Sequence, residues 1–226
     1  MTADQRSKKT GTKINRENKK SEEPTYFDYF KAITLYVPDE VSPVTLIGRA
    51  IVYILFFIWG WTFILHSVES NYVASSFMHN INLVFHEAGH IIFSPFGRFM
   101  SVLGGTLSQL LMPLIVLGAF LITNRNPFAA SIGLWWLGQN FMDIAPYIND
   151  ARDLRLPLLG GVTGRDVEDY HDWEYLLGRL GLLQQDHFLA QVSQYFGILL
   201  MLTAFVWGAY MLYRQYRARG DLASAA

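Results

Sequence analysis

Apolar residues fall along this chain in long blocks, and polar residues gather at the two ends and in one inner stretch. Counting positions without Asp, Glu, Lys or Arg against the roughly 20 that a helix needs to cross a hydrocarbon core predicts five hydrophobic helices. Residues 50–68 are uncharged for 19 positions, 99–124 for 26, 126–142 for 17 and 188–213 for 26. The other segment, 70–97, is broken only by Glu87, yet it also carries His79, Asn80, Asn82, His86 and His90. Each ionisable group there costs on the order of 2.5 kcal/mol or more unless it is paired or used.

Between these blocks the pattern changes character. Residues 24–43 contain the aromatic, amphipathic run YFDYFKAITLYV and suit the headgroup level of a bilayer. Residues 151–187 turn polar around Pro157, Gly160, Gly161 and Gly164, then regain helical spacing in DVEDYHDWEYLLGRLGLL. That predicts a loop and a short amphipathic helix that rests on the bilayer or caps the bundle. Residues 44–150 form the membrane core, 188–213 a final transmembrane helix, and 214–226 a basic tail whose Arg214, Arg217 and Arg219 act as a stop signal. No repeat of fixed period is visible. The expected fold is thus an all-α polytopic membrane protein of about five transmembrane helices. Five complete spans would separate two termini that are both basic. Either the polar second segment does not fully cross, or the stronger N-terminal signal overrules the C-terminal arginines.

Composition agrees: 51% of the 226 residues are hydrophobic and 16% charged, too apolar for an ordinary soluble domain. Seven of the 18 cations lie in the first twenty residues, so residues 1–23 read as a disordered cytosolic tail. No apolar region follows them closely enough for a signal peptide. A formal net charge of −1 gives no overall field for nucleic acid. Without cysteine, any metal must be held by His and carboxylates.

Such a set is present in the second segment. Its NLVFHEAGHIIF contains His86-Glu87-Ala88-Gly89-His90, an H-E-x-x-H. On a helix the two histidines at i and i+4 stack on one face and can share one ion, with Glu87 beside it. Zinc held by two His and one carboxylate keeps a position for water, lowers its pKa to about 7, and leaves the Glu as general base. Given 6 His and 8 Glu, chance expects roughly 0.0055 such motifs in this chain, so coincidence is a poor account. The competing reading is a structural polar cluster. For the third ligand the sequence offers Asp150, Asp143 and the His171-Asp172 pair. Pro146 is expected to interrupt the helix between the first two, and beyond that break Asp150 can turn inward, which favours it. Asp143 competes as a ligand, or acts as an acceptor orienting a liganding histidine. His79, two turns from His86, is too far to share the ion and is left to meet substrate or water.

These residues resemble the site-2 protease family of intramembrane zinc metalloproteases. His86 to His90 match the family's HExGH form. Gly104-Gly105-Thr106-Leu107-Ser108-Gln109 is similar to its small-residue stretch, with Gln109 where the family has Asn, and residues 140–150 resemble the stretch that supplies its carboxylate ligand. The resemblance covers about residues 77–152. It implies zinc on His86, His90 and Asp150, catalysis by Glu87, and hydrolysis of a transmembrane protein substrate within the bilayer. Gln109 and Asn140 are then candidates to bind unwound substrate backbone, or else they join helices. The expected setting is an integral, multi-pass protein of the plasma (inner) membrane with a cytoplasmic N-terminus. The alternative is a catalytically silent adaptor that binds metal and partner helices, in which Glu87 would have no purpose. The oligomeric state is left open by the sequence.

Overall fold

The computed structural model of the chain describes residues 24–38 and 41–225, with side chains as far as Arg219. It is helical throughout, with no strand among the described residues. In chain order the α-helices are α1 (Tyr26–Thr34), α2 (Pro43–Ile64), α3 (Phe77–Phe93), α4 (Arg98–Gly118), α5 (Pro127–Asn149), α6 (Asp172–Leu180) and α7 (Asp186–Ala225). Their starts are marked by residues that satisfy free backbone N–H groups. Ser42 accepts from the Thr45 amide with Pro43 next, Ser76 from Met78, and Asn126 from Ala129 ahead of Pro127.

Helix α5 is the axis of the bundle. Fifteen of its 23 residues are buried, because α7 packs along one side of it and α4 along another. Gly138 lets α7 approach so closely that a β-carbon there would lie 2.7 Å from the Gly197 carbonyl oxygen. Phe63, Trp135, Met142, Met201 and Phe205 fill the main core, with Phe56 edge-on to Trp135 at 4.7 Å.

The outer faces are apolar as well. On α2, Val44, Ile47, Ile51, Ile54 and Ile58 are exposed at intervals of three and four, and α7 exposes Val192, Tyr195, Leu199, Leu202, Val206 and Tyr210 in the same rhythm. Continuous apolar stripes of this kind belong against lipid. Among the described residues three helices are long and apolar enough to cross a membrane: α2, α4 with its π-helical continuation to Thr123, and α7. Of the five spans expected from sequence, these three meet both criteria. Helix α5 is long enough but carries its polar groups toward neighbouring helices, and α3 has only 17 residues, a rise of about 26 Å against a core of about 30 Å.

Two sequence expectations change in detail. The segment 70–97 is not one helix: 3₁₀ turns at Val68–Ser70 and Tyr72–Ser75, joined at Asn71 with φ +46°, precede α3. Pro146 does not break α5, which continues to Asn149. A proline inside a helix costs about 3 kcal/mol through its missing N–H and its clash with the preceding turn, and here burial of Ile144, Ala145, Pro146 and Ile148 offsets it. The expected amphipathic helix is α6, and it caps the bundle, with Leu176 and Leu177 buried. The basic tail expected at residues 1–23 lies outside the described residues.

Candidate metal centre

Helices α3 and α4 form an antiparallel pair turned by the 3₁₀ segment Ser94–Phe96 and by Gly97, whose φ of +91° favours glycine. Because α3 is helical without interruption through the H-E-x-x-H, the rings of His86 and His90 stand on one face with centroids 4.8 Å apart. Asp172, the first residue of α6, meets them. Its Oδ2 lies 2.9 Å from His86 Nε2 and 3.3 Å from His90 Nε2. Among the described residues these three are the group of His and carboxylate side chains whose donor atoms converge within 4.8 Å.

The donor chemistry fits zinc. His90 Nδ1 lies 2.9 Å from the carbonyl oxygen of Ser101, an obligate acceptor, so Nδ1 carries a proton and, in the neutral ring, Nε2 is the nitrogen that keeps a lone pair. His86 Nδ1 similarly meets Gln109 Oε1 at 3.1 Å. Two ring nitrogens thus face one carboxylate oxygen, an arrangement that needs positive charge there, supplied either by protons on the nitrogens or by a metal ion bound through their lone pairs. Ligand atoms around a tetrahedral zinc with bonds of about 2.1 Å lie about 3.4 Å apart, close to the separations found here. Gly105 keeps the space beside them clear: a β-carbon on it would lie 2.7 Å from both His86 Nε2 and His90 Nε2.

The approach of Asp172 is fixed locally. His171 caps α6 by accepting from the Glu174 amide at Nδ1, is fully buried, and packs its ring 4.3 Å from that of Tyr147. The Asp172 amide donates to Tyr147 Oη at 3.0 Å.

Asp150, the carboxylate favoured from sequence, is placed elsewhere. It follows the last residue of α5, where its oxygens accept from the amides of Arg155 and Leu156 at 2.9 Å each and one lies 3.6 Å from His171 Nε2. With Pro146 accommodated, α5 does not turn Asp150 toward the histidines. It organises the chain that leads to Asp172 instead.

A cavity of about 500 Å³ opens beside the three converging residues, lined among others by His79, Asn80, Glu87, Gln109, Tyr147 and Tyr170. Glu87 faces this space from the turn that carries His86. Gln109 lines it too, whereas Asn140 does not: Asn140 is fully buried and donates to the Trp136 carbonyl. His79 is held at Nδ1 by Asp143 Oδ1, 3.1 Å away. Reading the sequence alone gives no role to Tyr147, Asn82 or Gln139, which support the site from α5 and α3. Their only signal is polarity at buried helical positions.

No family model, curated protein or solved structure matches the chain.

Proposed function

We propose that this protein is an intramembrane zinc metalloprotease, which hydrolyses peptide bonds of membrane-embedded or membrane-proximal substrates. The observation that carries the reading is the convergence of His86, His90 and Asp172 on one point, with both histidine protons turned away from it and Glu87 on the adjoining cavity wall. His86, His90 and Asp172 would hold the zinc, which supplies an acidified water and polarises a carbonyl. Glu87 accepts the proton of that water and delivers it to the leaving amine. The cavity admits a locally unwound stretch of substrate, whose freed backbone groups find partners in Gln109, Asn80 and His79. In the same reading α2, α3, α4, α5 and α7 all lie in the bilayer, α3 short of full crossing, with the N-terminus in the cytosol of a plasma-membrane protein.

The test is metal analysis of the detergent-purified protein, wild type against His86→Ala, together with cleavage of a panel of single-pass substrates. The expected result is close to one zinc per chain, lost in the variant along with cleavage. Metal without cleavage of any substrate would favour the silent adaptor, and cleavage without metal would overturn the reading.

A further inference from the structure

The buried network behind His86 contains two groups whose hydrogen bonds run one way only. Trp136 Nε1 can only donate, and it does so to Asn82 Oδ1 at 2.9 Å, which turns the Asn82 amide nitrogen toward Asp143 Oδ2 at 3.0 Å and Gln139 Oε1 at 2.8 Å. Asp143, its side chain only 2% exposed, can only accept as a carboxylate. It takes a second hydrogen bond on Oδ2 from Gln109 Nε2 at 3.0 Å. An amide that gives its nitrogen to Asp143 must present its oxygen on the other side, and there it meets His86 Nδ1. The proton of His86 is thereby drawn to Nδ1 and the lone pair to Nε2, where Asp172 stands.

We propose that Asp143 is a positioning residue for metal binding, acting through Gln109 to fix the tautomer of His86. The inference rests on the reading that His86, His90 and Asp172 hold zinc. Asp143 itself touches none of the three; a neutral amide carries its effect across the interval. Its second oxygen, Oδ1, faces His79 and is a separate branch of the same carboxylate. Losing Asp143 frees the Gln109 amide to rotate, so that its nitrogen can face His86 Nδ1 and drive the proton to the ligand nitrogen.

Zinc affinity by chelator competition on the detergent-purified full-length chain tests this. Asp143→Ala and Gln109→Met are each expected to weaken binding roughly 10- to 100-fold, the usual range for groups that orient a ligand. Because both act through one chain of bonds, the double variant should lose no more than the worse single one. Asp143→Asn, which keeps an oxygen for Gln109, should stay within about twofold of wild type, as should His79→Ala, which touches only the other branch. Multiplying losses in the double variant, or an Asp143→Asn as weak as Asp143→Ala, overturn the relay. Should Asp143→Ala fail to elute as a folded protein, Gln109→Met decides, since wild-type affinity there also overturns it. Undiminished zinc binding by His86→Ala would sink the metal reading itself, whereas loss in that variant with full affinity in the other two sinks the relay alone.

Discussion

Gly89 and Gly104 lie backbone against backbone, and neither position has room for a side chain. A β-carbon on Gly104 would stand 2.6 Å from the Gly89 carbonyl oxygen, and one on Gly89 would overlap the carbonyl of Gly104. This contact sets how near the histidine pair of α3 comes to Gln109 on α4. Gly89→Ala is expected to destabilise the protein by about 1–3 kcal/mol despite alanine's better helix propensity, because the clash is with backbone that cannot rotate away. The measurement is the thermal unfolding midpoint in detergent, and an undiminished midpoint would show that the helices can part at little cost.

Glu87 faces the cavity but is not one of the three converging groups, so its role separates from theirs. Glu87→Gln should retain zinc and lose hydrolysis by roughly 10²- to 10⁴-fold, since the amide cannot accept the proton of the attacking water. Zinc content and turnover measured on one preparation check both halves of the statement.

Asp172 and Asp150 are expected to differ sharply. Asp172→Ala removes a converging oxygen and should lower zinc affinity beyond the roughly 10- to 100-fold typical of supporting residues. Asp150→Ala acts at a distance, by loosening the turn at Arg155 and Leu156, and should fall within that range. Competition titrations of the two variants side by side give the order, and the reverse order would return the ligand role to Asp150.

The same turn gives a pH dependence. Burial raises the Asp150 carboxyl, but His171 and the amides of Arg155 and Leu156 pull it further down, to a net position below its ordinary value. A folded pKa below the unfolded one means that the stabilisation is complete above the unfolded value of about 3.9 and is lost as pH falls through the lower folded value. Hydrogen-exchange protection of the Arg155 and Leu156 amides should therefore be flat from about pH 7 to 5 and drop below about pH 4. Asp150→Asn should remove that step.

How far the sequence could be read depended on the range of the interactions. The His86-Glu87 and His90 set was legible because it lies within five consecutive residues of one helix, where spacing alone dictates facing. The apolar blocks of α2, α4 and α7 were legible because lipid-crossing length is a local property. Asp172 was visible only as one candidate among three, since its place depends on the loop from Asp150 folding back and on His171 and Tyr147 meeting at the end of α5. Pro146 misled for a related reason: its local cost is fixed by the residue, while the packing that offsets it comes from helices elsewhere in the chain. Gln109 stands out in the sequence as a polar group inside an apolar helix, but its partners on two other helices, His86 and Asp143, are not set by spacing.

His86 and Asp172 are 86 residues apart in the chain. At a ribosomal rate of about 5–20 residues per second, roughly 4–17 s pass between the emergence of the first and of the second. Throughout that interval α3 has been made and the third member of its site has not. The cluster of His86, His90 and Asp172 is therefore incomplete for the whole time that α4 and α5 are being made, and closes only when α6 arrives.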